Sequence, residues 1–183
     1  GEDDVPETLP ETLTLEDRWI LTKFNDLAAA VTENLEKFEL GIAVQKLYDF
    51  IWDDFCDWYI ELSKIRLQGE GRADALRVLV YTMTGMLKLL HPFMPFITEE
   101  IWQSLPHTGD ALMCAKWPVY TEALHFASEE QEMERIMTAI RAIRNRRAEM
   151  NVPPSRKAEV FIETAFADTF KAGVPFITRL ASA

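Results

Sequence analysis

Glycine is scarce in this chain, seven among 183 residues. Long stretches contain neither glycine nor proline. These are the residues that interrupt helices, so their scarcity points to long helices. Cysteine is scarcer: Cys56 and Cys114 are the full complement. Two cysteines cannot build a disulfide framework, and no Cys or His pair stands at zinc-ligand spacing. They read as reduced core thiols of a cytoplasmic protein. No apolar run approaches the roughly 20 residues needed to cross a bilayer, and the start lacks a secretory apolar region. No membrane partner is therefore expected. Three histidines are present, His91, His107 and His125. None has the Ser, Cys or Asp partners of a nucleophilic site; His91, at a helix break, is expected to cap or pack.

Basic charge is also in short supply. The net charge of −11 argues against a surface that binds nucleic acid everywhere. Its distribution is uneven, however. Residues 1–17 hold Glu2, Asp3, Asp4, Glu7, Glu11, Glu16 and Asp17 and no base, whereas residues 135–157 hold Arg135, Arg141, Arg144, Arg146, Arg147, Arg156 and Lys157. A partner that touches one face responds to local sign, not to the sum. The chain opens on Gly1 and stops at Ala183 without a clear ending, and it reads as an excised piece of a longer protein.

What is present is helical periodicity. Thr14 with Asp17 predicts a helix start, followed by a stripe of Ile20, Phe24, Leu27, Val31 and Leu35. A break at 37–41 precedes a second helix over 42–67, with Val44, Leu47, Ile51, Phe55, Trp58 and Leu62 facing inward, ended by the glycines of LQGEGR. A third helix over 73–90 carries Leu76, Leu79, Val80, Met83, Leu87 and Leu90. Pro92 and Pro95 break it, and 98–105 resumes. After a long connector, 128–150 is a fourth helix, cored by Met133, Ile136, Met137, Ile140 and Ile143. KAEVFIET, residues 157–164, alternates like a strand, and 165–172 predicts a short helix closed by Gly173. The plan is 1–14 as an acidic lead-in, 15–151 as an antiparallel helical bundle, and 152–183 as the start of a small α/β unit.

One stretch spells a metal motif. DDFCD, Asp53 to Asp57, reads D-D-x-x-D, a pattern that holds Mg²⁺ for a diphosphate in helical isoprenoid synthases. NDLAAAVTE, Asn25 to Glu33, approximates the second motif of those enzymes. But Ala29 stands at its hydroxyl position, the order is reversed, and the chain is short for such a barrel. The blander account is an acidic helix edge, Asp49, Asp53, Asp57 and Glu61 at four-residue steps, on an aromatic helix packed between neighbours. Asp54 and Asp57 are then expected to pair with a base of an adjacent helix, Arg144 first. An isoprenoid synthase-like enzyme and a helical protein-interaction module are the alternatives carried forward.

Four blocks decide between these readings. LEDRWILTKFN, LYDFIWDDFCDWYIELSK, LLHPFMPFITEEIWQSLP and IRAIRNRRAEMNVPPS, in this order and spacing, resemble the anticodon-binding region of class I aminoacyl-tRNA synthetases. HPFMPFITEEIW is shared in looser form with the isoleucyl and leucyl branches. FCDWYIELSK and the arginine helix ending in NVPPS point to the valyl branch. The resemblance covers about Leu15 to the end. It implies a mainly α fold of the class Ia anticodon-binding type, with a small α/β extension at the C-terminus. It implies a cytoplasmic, monomeric ligase that activates its amino acid with ATP and Mg²⁺ in a catalytic domain and has an editing domain. The HIGH-like and KMSKS-like motifs of that catalytic domain do not occur here, so no catalytic residue, cofactor or metal is expected in this chain. Its expected partners are tRNA and those two domains.

Holding an unstacked anticodon takes apolar platforms, polar groups for base edges, and Lys or Arg for phosphates. The end of the second helix combines these. By the resemblance it lies near the anticodon loop, which makes Ile60, Lys64 and Arg66 candidate tRNA contacts, with Trp58 expected in the core. Arg144 and Arg147 fall on the apolar side of the arginine helix. They are candidates for RNA phosphates or for pairing with buried acids. Arg146 is expected to face solvent.

Overall fold

The computed structural model describes residues 8–153 and 155–182. The lead-in expected over 1–14 therefore lies, for residues 1–7, outside the described part, as does Pro154 of the arginine-helix block. The chain is mainly helical, and among the described residues no strand forms. It divides into two compact units, one up to Phe126 and the other from Ala127. The reading by sequence placed its boundary after residue 151, keeping the arginine helix with the bundle.

The first unit opens with α1 (Leu15–Glu36). The backbone N–H of Thr14 donates to Asp17 Oδ2 at 3.2 Å, which satisfies a donor at the helix start as the Thr14–Asp17 spacing predicts. Trp19, Ile20, Phe24, Leu27 and Val31 are buried along one side. The helix ends in a Schellman turn: Phe38 N–H reaches Leu35 O at 3.0 Å and Glu39 N–H reaches Asn34 O at 2.8 Å. Phe38 takes the left-handed conformation usually left to glycine, at φ 59°.

Residues 40–67 form one rod in three parts. It runs through α2 (Leu40–Asp49), a π-helical segment (Phe50–Ile60) and α3 (Glu61–Leu67). A π-helix closes i→i+5 hydrogen bonds and is normally a single turn; here it spans 11 residues. The wider winding changes which side chains share a face. Phe50 and Phe55, five apart, are both buried, with Tyr59 and Leu62 following. The 3.6-residue period had assigned Val44 and Ile51 inward. Val44 is instead exposed and Ile51 half-buried, while Ala43, Phe50 and Tyr59 take the core.

After Gly71, α4 (Arg72–Leu90) packs against α1. The core residues of α4 are small: Ala75, Val78, Thr82 and Gly85 are buried with Met86, Leu87 and Leu89, while Leu76, Leu79 and Val80 are half-buried. Gly85 explains the close approach. A Cβ there would lie 2.2 Å from Phe24 Cζ, so the Phe24 ring occupies the space that any side chain would need. His91 bridges the proline break, its Nδ1 2.7 Å from Thr98 Oγ1. The chain resumes in α5 (Pro95–Gln103), with Pro95 in the first turn, where its missing N–H costs nothing. The connector is stitched onto α1. Asn25 Nδ2 donates to Thr121 O and Thr121 N–H returns to Asn25 Oδ1, both at 2.8 Å. Trp117 Nε1 donates to Thr32 Oγ1 at 2.8 Å.

The second unit pairs α6 (Ala127–Glu149) with α7 (Ala167–Ala181). Met133, Ile136, Met137 and Ile140 are buried as the periodicity predicts, and Ile143 is half-buried. Gly173 does not close a helix as expected. It lies inside α7, where a Cβ would come within 2.8 Å of Ile136 Cγ1. The expected strand over 157–164 is irregular, and Phe161 is 91% exposed. A strand needs a ladder partner for its backbone groups, and the described residues offer none.

Candidate nucleic-acid interface

The first candidate region is the junction of the π segment and α3. Ile60 and Lys64, four apart, share one edge there and are half-buried. Lys64 is held by an ion pair to Glu61. The aromatics of the segment divide. Phe55, Trp58 and Tyr59 are core, as expected for Trp58. Trp52 is 53% exposed and Tyr48 58% exposed, with ring centroids 6.2 Å apart. This exposed aromatic pair was not singled out from the sequence, because an aromatic-rich helix was read as buried on several sides. Its i, i+4 spacing was the available signal.

Arg66 turns toward α1. Its Nη1 donates to Asp17 Oδ2 at 2.6 Å and Thr14 Oγ1 at 2.9 Å, and lies 3.4 Å from Glu16 Oε1. Asp17 is fully buried and also accepts from the Tyr59 hydroxyl at 2.8 Å. Burial would lower the Arg66 pKa, but Asp17 and Glu16 together raise it. Tyr59 is pushed well up by burial and then by Asp17, so it remains a donor. Glu16 is raised by burial, and further by the neighbouring Asp17 charge. The side chain of Arg66 is only 16% exposed. It fixes α3 to the start of α1 and in this way positions the Ile60–Lys64 edge.

The motif acids lie on the outer side of the π segment. Asp53 and Asp57 are exposed and Asp54 is half-buried. Cys56 beside them has its thiol pushed up by burial and by Asp57, which disfavours the reactive thiolate. The residues of the second motif have other partners: Asn25 clamps the connector and Glu33 pairs with Lys37. Among the described residues no three His, Cys, Asp or Glu side chains gather closely enough to hold a metal ion.

The second region is the end of α6, in the other unit. Arg144 Nε donates to Leu180 O at 2.6 Å. Arg147 is half-buried and reaches Pro153 O at 3.0 Å and Arg156 O at 2.6 Å. Both arginines thus cover carbonyls at helix ends and in the following turn. Asn151, at φ 54°, closes α6 through Val152 N–H to Arg147 O at 2.9 Å. Arg146 faces solvent and pairs with Glu149 at 3.0 Å.

The four sequence blocks fall on α1, on the rod through the π segment, on the proline elbow with α5, and on α6 with its following turn. Residues 17–162 match the family of the anticodon-binding domain of tRNA ligase. The chain belongs to this family of anticodon-binding domains. It is 49% identical over 178 residues to a valine–tRNA ligase of Clostridium acetobutylicum, covering 94% of this chain and 20% of that protein. With the enzyme of Carboxydothermus hydrogenoformans it shares 50% over 157 residues, 85% of this chain and 18% of the relative. With that of Thermotoga maritima it shares 47% over 161 residues, 88% and 19% respectively. The anticodon-binding chain thus spans 18–20% of the length of these relatives. No helix among its described residues is long and apolar enough to cross a membrane.

Proposed function

We propose that this chain is the anticodon-binding segment of a cytoplasmic, monomeric valine–tRNA ligase and that it recognises the anticodon of valine tRNA. The observation that carries this reading is its near-half identity to valine–tRNA ligases over 85–94% of its length. In the complete enzyme, catalytic and editing domains supply the chemistry, with ATP and Mg²⁺ bound by the catalytic domain. The segment contributes positioning and selection.

On this reading, unstacked anticodon bases lie along the Ile60–Lys64 edge. Ile60 supplies an apolar contact and Lys64 a charge for phosphate or base edge. Exposed Tyr48 and Trp52 offer stacking faces further along the same rod. Arg66 holds the edge in place. Arg144 and Arg147, bonded to backbone carbonyls, lend positive charge at the end of α6 to the tRNA backbone. Asp54 pairs with a base of a neighbouring helix, whereas exposed Asp57 has no ion-pair partner among the described residues.

The test is aminoacylation by the complete ligase carrying Ile60→Ala and Lys64→Ala. Loss of one stacked or charged contact costs roughly 1–3 kcal/mol, so KM for tRNA rises about tenfold or more while valine activation stays unchanged. An unchanged KM removes the site assignment. Binding should also weaken with salt, with a slope of about 0.7 for each single-strand phosphate contacted.

A further inference from the structure

We infer that the first unit carries a binding site for a nucleoside monophosphate unit, in a cavity walled by α1, α4 and the connector. The cavity measures about 320 Å³, within the roughly 300–1,000 Å³ of small-ligand sites. Phe24, Tyr81 and Trp117 supply aromatic walls, and Lys88 and Lys116 line the same space. The Trp117 ring is fixed by its bond to Thr32, and Phe24 is fixed against Gly85.

Two observations separate this cavity from an ordinary surface groove. Lys37, Lys64 and Lys171 each pair with a carboxylate, and Lys46 donates to Asn34. Lys88 and Lys116 have no such partner among the described residues, although acids outnumber bases 30 to 19. Thr84, 5% exposed, also lines the cavity, and its hydroxyl has no hydrogen-bond partner. A buried hydroxyl left unbonded is costly, and a ligand group would relieve it. Two free ammonium groups favour a phosphate, and aromatic faces favour a planar base. A simple anion would leave the rings unused, and a nucleoside would leave the lysines unused.

The monophosphate unit could belong to a free nucleotide or to an unstacked position of an RNA strand. The test titrates adenosine 5′-monophosphate into the full chain and follows the indole N–H NMR signal of Trp117, assigned with Trp117→Phe. A saturable shift is expected, weakened roughly tenfold by each of Lys88→Gln and Lys116→Gln. Adenosine and inorganic phosphate should each bind more weakly than the joined molecule. If hexa-adenylate displaces the monophosphate and binds more tightly through the same lysines, the source is RNA. If the monophosphate binds and hexa-adenylate is excluded, the source is a free nucleotide. No saturable shift up to about 10 mM, or equal affinity in the Lys88→Gln/Lys116→Gln chain, overturns the inference. Either result alongside intact anticodon-dependent binding would leave the tRNA reading standing.

Discussion

Replacing Arg66 by methionine should destabilise the first unit severely, because Asp17 would keep a buried charge without its cation. Asp17 is fully buried and accepts from Arg66 at 2.6 Å, Tyr59 at 2.8 Å and Thr14 at 3.2 Å. Breaking such a pair from one side costs about 3–5 kcal/mol. Arg66 keeps 16% of its side chain exposed, so water can partly solvate the orphaned acid, and the low end, about 3 kcal/mol, is expected. Tyr59→Phe removes one hydrogen bond to a charged acceptor and should cost less, about 2 kcal/mol. The assay is urea unfolding followed by tryptophan fluorescence. All five tryptophans precede Phe126, so the signal reports on the first unit alone. With a urea slope of about 2 kcal/mol per molar, Arg66→Met lowers the midpoint by about 1.5 M. Adding Asp17→Asn to that variant removes the orphaned charge and should recover part of the loss. A cost below about 1 kcal/mol for Arg66→Met, or a further loss on adding Asp17→Asn, would refute the buried-charge argument.

Gly85→Ala should lower the melting temperature despite the better helix propensity of alanine. Forcing Phe24 aside costs about 1–3 kcal/mol against a gain of up to about 1; stabilisation would mean the α1–α4 contact is looser than described. Asn25→Ala leaves the Thr121 N–H unbonded and Thr121 O with only the Leu124 N–H, and urea unfolding should show a loss of about 1–3 kcal/mol, with the connector more open to proteolysis. Glu16 gives a pH signature. Its folded pKa lies above the ordinary 4.5, so the folded state holds its proton more tightly than the unfolded state does. Glu16 therefore weakens the fold as pH rises from near 4.5 through its raised value. Glu16→Gln should gain stability relative to the parent at pH 7, and the gain should vanish near pH 4, as read from urea midpoints at the two pH values.

Much of this architecture is legible in the sequence where local chemistry decides. Thr14 and Asp17 mark the start of α1, the two prolines mark the elbow before α5, and Met133, Ile136, Met137 and Ile140 mark the buried side of α6. Other features depend on tertiary geometry. The π winding of 50–60 follows no propensity; it becomes visible once Phe50 and Phe55 are found on one side. In α4 the large residues Leu76, Leu79 and Val80 attract attention, but close packing on α1 selects Ala75, Val78 and Gly85 for the core. Alternation in KAEVFIET signals a strand only if a neighbour exists to pair with it. Within the candidate interface, the Ile60–Lys64 edge could be found from residue types. The inward turn of Arg66 could not, because its partners Glu16 and Asp17 lie 50 and 49 positions earlier. The exposure of Tyr48 and Trp52 also depended on the rod being uncovered on that side.

The central claim is that this segment distinguishes an anticodon through the Ile60–Lys64 edge. The most direct measurement compares the binding of valine tRNA with that of the same tRNA carrying a replaced anticodon. Both are titrated at low salt into the parent chain and into the chain with Ile60→Ala and Lys64→Ala. The account predicts a preference of about tenfold or more for the intact anticodon in the parent, largely lost in the double variant. Equal binding of the two tRNAs by the parent, or a preference that survives the double substitution, would contradict it.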